Sequence, residues 1–175
     1  MVVHWTWHRD GWLYKKGYRD FAGSGVVHVL GGFAALIAAA LVGPRPRQPG
    51  GRHRPTDMPE LMHSMAQISL GTLLLIAGFC GFNGGSVLSV DTVEDAGKLS
   101  RAVCNTILAC AGGGISVSVF RTCGRYWSLP AACNGALAGC VSICAGADVV
   151  HPWIAFVVGA IGGLAYKGCS VLRRR

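Results

Sequence analysis

Five long apolar stretches run through the chain, at about 21–43, 65–86, 102–120, 129–146 and 150–172, with short polar connections between them. At about 1.5 Å of rise per residue, a helix of about 20 apolar residues crosses the hydrocarbon of a bilayer. The pattern predicts an all-α polytopic membrane protein: one domain over 1–175, with five transmembrane helices. An outer segment over 1–20 is aromatic and charged rather than apolar. The fourth stretch is short and rich in Ala, Gly and Cys, which suits a helix in the middle of a bundle. Small residues recur one turn apart at Gly135 and Gly139 and at Gly159 and Gly163, and fill 112–114. In lipid such positions let helix backbones approach closely, because apolar burial alone does not drive association there.

The connections alternate in charge. The 44–64 connection holds Arg45, Arg47, Arg52 and Arg54, and the next mixes Asp91, Glu94 and Asp95 with Lys98 and Arg101. Arg121 and Arg125 follow, then Asp148, then Arg173, Arg174 and Arg175. Every second connection is basic, which places those connections in the cytoplasm and runs the first span from outside to inside. Arg9, Lys15, Lys16 and Arg19 in the outer segment go against that rule. Helices upstream would account for the exception, and the chain is expected to be part of a longer protein. No signal-peptide pattern opens it. Trp12, Tyr14 and Tyr18 before the first span, Tyr126 and Trp127 before the fourth and Trp153 at the fifth stand where interfacial belts belong.

Composition narrows the class. The chain is 51% hydrophobic and only 14% charged, whereas a soluble domain carries about a quarter of its residues as charges. The net charge of +8 does not mark a nucleic-acid face, since the basic residues sit in short connections without interleaved aromatics. Of the eight cysteines, Cys80, Cys104, Cys110, Cys133, Cys140, Cys144 and Cys169 lie within or beside apolar stretches, and no CxxC pair occurs. They read as small packing residues rather than as a metal or redox site. The lipoprotein-like Leu137-Ala138-Gly139-Cys140 lies inside a span, far from the N-terminus, and carries no weight. With no nucleophile–base pair in view, an enzyme is not expected, nor is a cofactor.

Polar residues inside the apolar stretches carry the candidate chemistry. Asp20, Ser24, His28 and Gly32 recur every four residues, with Gly25, Gly31 and Ala35 filling the same helical side. About 12 Å separates His28 from a span start near Asp20, which sets the imidazole near the bilayer midplane. It serves either as an interhelical hydrogen-bond partner or as part of a conduction path, the role ionisable groups in membranes most often have. Burial favours a neutral ring that both donates and accepts hydrogen bonds. Asp20 suits a helix cap at the positive end of the dipole, with substrate contact as the alternative. Phe79, Phe82 and Ser86 share a face at the outer end of the second span. Aromatics beside a hydroxyl suit a small cation, or simply a packed helix end.

Three stretches resemble the ammonium transporter family (Amt, Mep and Rh). Asp20-Phe21-Ala22-Gly23-Ser24-Gly25-Val26-Val27-His28 resembles the signature at the start of the family's fifth helix, and Gly81-Phe82-Asn83-Gly84-Gly85-Ser86 the end of its sixth. Asn134-Gly135-Ala136-Leu137-Ala138-Gly139, followed by Ser142, Gly146 and Pro152-Trp153, resembles its eighth and ninth. Ala147 and His151 depart from the pattern, which has Cys and an acidic residue there. The resemblance implies an eleven-helix fold of two inverted repeats, of which this chain is the fifth to ninth helices, with the path between the repeats. It implies a homotrimer with one pore per subunit. His28 then matches the first of two pore histidines and Phe82 the inner-facing member of a phenylalanine gate. Ser86 matches the hydroxyl of an outer cation site, and Trp7 the tryptophan completing it, with Trp5 the neighbouring alternative. Asp20 matches a buried aspartate supporting that site. The second pore histidine and the other gate phenylalanine belong to helices beyond the match.

The implied activity is transport of ammonium or ammonia across the plasma membrane. Ammonium is held at the outer site, loses its proton, and passes His28 as ammonia; the partners are ammonium or ammonia and the lipid bilayer. An alternative of a different class is a truncated, non-conducting membrane protein that assembles with or impairs full-length subunits. Five helices with one pore histidine do not enclose the family's pore, so no conduction by this chain alone is expected.

Overall fold

A computed structural model describes residues 2–43, 64–122 and 127–172, and every regular element among them is helical. Two short helices open the chain, α1 (Val2–Trp7) and α2 (Trp12–Lys15). A π-helical turn, Ser24–Val29, runs into α3 (Leu30–Val42). Four longer elements follow: α4 (Met65–Gly85), α5 (Val93–Thr122), α6 (Leu129–Ile143) and α7 (Pro152–Leu172). Ser24–Val42, Met65–Gly85, Val93–Phe120 and Pro152–Val171 are long and apolar enough to cross a membrane, and Leu129–Ile143 is a shorter apolar helix. Their outer faces are uncovered hydrocarbon: Leu41 is 83% exposed, Leu74 66% and Ile161 61%. Faces of that kind belong in lipid or against other membrane helices, and the protein is an integral, multi-pass membrane protein. The basic connection with Arg45, Arg47, Arg52 and Arg54, the loop residues Arg125 and Tyr126, the tail Arg173, Arg174 and Arg175, and the side chain of Arg121 lie outside the described residues. Trp12, Tyr14, Tyr18, Trp127 and Trp153 are all exposed, as interfacial residues must be.

The centre of the molecule is a three-helix junction of α5, α6 and α7, each packed on the other two, with α4 laid against α5 and α6. Glycine makes this possible. The Ala109 carbonyl of α5 is met by Gly139 of α6 and by Gly159 of α7, each so closely that an added Cβ would overlap the oxygen. One turn along, Gly113 meets the carbonyl of Gly135, and Gly163 meets that of Gly113. Hydroxyls bridge the same seam: Ser116 Oγ shares its proton between Gly113 O of its own helix and Ala160 O of α7, both at 3.0 Å, and Ser142 Oγ between Gly139 O at 2.9 Å and Val158 O of α7 at 3.3 Å. Such side chain–backbone bonds, with close backbone contact, replace the missing hydrophobic drive. By contrast, among the described residues α3 packs only against the π-helical turn before it, and no residue of α3 is buried.

Two helices differ from the apolar pattern. α5 starts at Val93 rather than near Ala102, running two turns beyond its apolar stretch. Thr92 and Asp95 form a reciprocal cap, the hydroxyl accepting from Asp95 N at 3.1 Å and donating to the carboxylate at 2.7 Å. Lys98 Nζ lies 2.8 Å from Glu94 one turn back. Charges that suggested a loop are instead the solvated face of a capped helix. α6 stops at Ile143, and 144–149 is a series of turns. The freed carbonyls of Cys144 and Ala145 accept from the N–H groups of Ala22 (2.9 Å) and Phe21 (3.0 Å). Asn105 Nδ2 of α5 donates to Ala147 O at 2.8 Å and Val150 O at 2.9 Å. Irregular backbone is tolerated in a membrane protein when it is satisfied internally, as here.

Candidate functional site

The stretch from Asp20 to His28 is organised by one carboxylate. Asp20 is 4% exposed, and its two oxygens accept four consecutive backbone N–H groups. Oδ1 takes Gly23 (3.0 Å) and Ser24 (2.7 Å), and Oδ2 takes Gly25 (2.8 Å) and Val26 (3.0 Å). These are the orphan donors at the start of a helix, so the capping role expected of Asp20 is how its side chain is used here. Gly23 turns the chain into the helix with φ +88°, a left-handed conformation that L side chains rarely adopt. Drawing four N–H groups onto one carboxylate widens the first turn. Val27 N and His28 N both donate to Gly23 O, at 2.9 and 3.1 Å, and the turn is π-helical. Asp20 is outside the helix, and His28 is not on a simple four-residue stripe with it. Gly25 does not line open space either: a Cβ there would stand 2.6 Å from the Tyr18 hydroxyl. Burial, and then the nearby Asp20 carboxylate, push the Tyr18 phenol above its ordinary value, so it remains protonated at neutral pH.

Trp7 and Trp5 separate cleanly. The Trp7 indole N–H donates to Asp20 O at 2.6 Å, whereas Trp5 stacks at a tilt on Trp12, centroids 6.1 Å apart. Further in, His28 meets two aromatic rings of α4: Phe79 at 5.5 Å and Phe82 at 5.6 Å between centroids. Phe79 and Phe82 stand edge-on to each other at 6.2 Å. The His28 Nε2 is buried without a hydrogen-bond partner. Ser86 Oγ donates to Phe82 O at 2.8 Å, which leaves its lone pairs free to accept. The site residues thus form two groups, Trp7 with Asp20, and His28 with Phe79, Phe82 and Ser86. Among the described residues no hydrogen bond or ring contact joins Trp7 to Phe82 or Ser86.

The sequence profile of the Ammonium Transporter Family matches residues 1–175. The chain belongs to this family. It is 37% identical to "Putative ammonium transporter 1 member 5" of Arabidopsis thaliana, over 98% of the chain and 38% of that protein. It is 36% identical to "Ammonium transporter 1" of Schizosaccharomyces pombe, over 99% of the chain and 33% of that protein. The crystal structure of Saccharomyces cerevisiae Mep2 superimposes with a TM-score of 0.76 at 34% identity, over 93% of this chain and 34% of that one. The chain therefore spans little more than a third of the length of these relatives.

For this ammonium transporter family chain, three polar residues escaped the reading of the sequence. Asn83, Asn105 and Thr106 are fully buried. Asn83 Nδ2 donates to Thr106 Oγ1 at 2.8 Å and so ties α4 to α5. Each is a polar letter inside an apolar run, the same signal that singled out His28. Phe79 was read only as a neighbour of Phe82; its contact with His28 crosses between helices and leaves no mark in spacing.

The Asp20 geometry makes a graded prediction. Asp20→Asn keeps one acceptor oxygen and leaves two N–H groups without partners; Asp20→Ala leaves all four. Each lost charge-assisted bond at this buried site costs about 1.5–3 kcal/mol. The expected order of stability is wild type, then Asn, then Ala, with amide exchange at 23–26 rising in the same order. Equal exchange in wild type and Asp20→Ala would remove the carboxylate from this role.

Proposed function

We propose that this chain supplies part of the wall of an ammonium-conducting pore in the plasma membrane. Ammonium is recruited at an outer site of Trp7, Phe82 and Ser86, gives up its proton, and passes His28 as ammonia. The observation that carries this reading is the His28 ring, lodged between Phe79 and Phe82 with a buried, unpartnered Nε2. A buried polar nitrogen without a partner is costly unless something transient occupies it. Ammonia, neutral and able both to donate and accept, is a fitting occupant in apolar surroundings. Phe82 and the acceptor lone pairs of Ser86 suit the cation before it loses its proton. Potassium has no proton to leave behind, and the site replaces little of its hydration. A homotrimer within the lipid bilayer is the assembly we propose, in line with the resemblance.

A second reading is a non-conducting subunit that joins and impairs full-length relatives. One observation favours it: α3, which continues the His28 turn, packs against none of the other long helices among the described residues. One experiment separates the two. The chain alone, and a chimera in which it replaces the matching third of the fission-yeast relative, are expressed in yeast without endogenous ammonium uptake. The expected result is growth on low ammonium with the chimera and none with the chain alone. A correctly inserted chimera that does not transport would defeat the pore reading in favour of the second.

A further inference from the structure

Five carbonyls between Cys144 and Val150, in the break between α6 and α7, are taken by donors remote in sequence. Those of Cys144 and Ala145 accept from Ala22 N and Phe21 N, at 2.9 and 3.0 Å. Those of Ala147 and Val150 accept from Asn105 Nδ2, at 2.8 and 2.9 Å, and that of Asp148 from the Arg101 guanidinium at 3.3 Å. The first pair faces the His28 segment, and the other three face α5. Of the two α5 side chains, Arg101 is exposed with one long bond, whereas Asn105 is fully buried with two short ones. We propose that Asn105 is a positioning residue for His28, acting through this break.

Among the described residues α3 packs only against the π-helical turn, so the helix that follows His28 does not locate it. The four Asp20 bonds are internal to 20–26: they shape the turn without placing it on the bundle. The hydrogen bonds that cross from this segment to α6 and the break are Phe21 N to Ala145 O, Ala22 N to Cys144 O and a longer one, Ser24 Oγ to Val141 O at 3.4 Å. Two of these three end on the same run of turns that Asn105 holds. A shift of that run carries Phe21 and Ala22 with it. The turn stiffened by Asp20 then passes the shift on to an imidazole set 5.5 and 5.6 Å from the centroids of Phe79 and Phe82.

Asn105 is committed to the break by its donors. Its Oδ1 is buried without a partner, and reversing the amide would set that oxygen against the two carbonyls now bonded. Asn105→Leu, a change to a similar size, removes the orphan acceptor together with the clamp. The loss of two bonds is thus partly offset in overall stability, while the break loses its hold. Local placement and global stability come apart in this variant, which is what separates positioning from packing. The consequence for transport rests on the pore reading; the placement of 21–22 does not.

Amide exchange of the whole chain in lipid nanodiscs, read by mass spectrometry, and methylammonium uptake by the chimera form the two arms of the test. The variants are Asn105→Leu, Asn105→Gln and, as the structural control, Ser116→Ala, which removes another bond between α5 and α7. Exchange at 21–22 is expected to rise at least tenfold in Asn105→Leu and to stay unchanged in Ser116→Ala. Asn105→Gln keeps both N–H donors and should fall between wild type and Asn105→Leu. In the chimera, Asn105→Leu should lower uptake at least fivefold and bring sensitivity to potassium, whereas Ser116→Ala keeps rate and selectivity. In the wild type, which needs no variant to fold, 21–22 and 144–150 should open as one unit, apart from α7. Unchanged exchange at 21–22 in Asn105→Leu, independent opening of the two segments in the wild type, or uptake that Asn105→Leu leaves intact or that both variants lose alike, overturns the inference. A wild-type chimera that does not transport defeats the pore reading instead, and the exchange arm alone then decides whether Asn105 places the segment.

Discussion

Gly159→Ala, a change of one methyl group, is expected to dismantle the three-helix junction. The new Cβ points at the Ala109 carbonyl, which is backbone and has no rotamer to retreat to. Retreat of α5 itself is blocked, because Gly139 presses on the same oxygen from α6. The remaining response is for α7 to withdraw, and that breaks the bonds on either side of the substitution. Those are Ser142 Oγ to Val158 O and Ser116 Oγ to Ala160 O, the bonds that fasten α7 to its neighbours. Overpacking costs about 1–3 kcal/mol, and each lost hydrogen bond adds about 0.5–1.5. Together these are a large share of the stability of a typical domain, about 5–15 kcal/mol. Gly168→Ala on the same helix is the control, since a Cβ there meets nothing within 4 Å. Fluorescence-detected gel filtration of heated, detergent-solubilised protein should show Gly159→Ala losing its monodisperse peak far below wild type, and Gly168→Ala unchanged. Indistinguishable melting of the two variants would mean that the close approach is not a constraint.

That junction was partly legible in the sequence, and its limits are instructive. The one-turn spacing of Gly135 with Gly139 and of Gly159 with Gly163 announced close backbones, because in lipid little else holds helices together. It could not say that Gly139 and Gly159 converge on one carbonyl, which is a property of three helices at once. Hydropathy marked α4 and α7 well, since their ends coincide with changes of polarity. It failed at the start of α5, where Glu94, Asp95, Lys98 and Arg101 are polar yet helical. The Thr92–Asp95 cap and the four-residue spacing of Glu94 and Lys98 were the signals to weigh. It failed again after Ile143, because the partners that satisfy the turns, Phe21, Ala22 and Asn105, are remote in sequence. At the site, a 3.6-residue period put Asp20 and His28 on one stripe. The carboxylate instead gathers four N–H groups and turns the helix start into a π-helical turn, a tertiary choice no period encodes.

Replacing His28 with Ala in the conducting chimera should remove selective transport and leave the fold nearly intact. The second half of that expectation comes from the contacts. Nε2 has no partner, so truncation strips no group of a hydrogen bond at that atom. What remains is a gap beside two phenyl rings, on a segment anchored separately by Asp20 and by the bonds of Phe21 and Ala22 to α6. The first half comes from the chemistry. On the proposed path, ammonia beside Phe79 and Phe82 would lose its water and need a group that donates and accepts without carrying a charge. Ala supplies neither, and the gap it leaves admits water, which lets hydrated ions follow. Uptake of labelled methylammonium should fall at least tenfold, equivalent to about 1.4 kcal/mol or more in the barrier, or persist only with new sensitivity to potassium. Ser86→Ala should behave differently. Its hydroxyl already donates to Phe82 O, so what is lost is an acceptor for the cation, one contact of several, and apparent affinity weakens while maximal rate is largely kept. Unchanged rate and selectivity in the His28→Ala chimera would show the imidazole to be a packing residue between two phenylalanines, and the pore assignment would go with it.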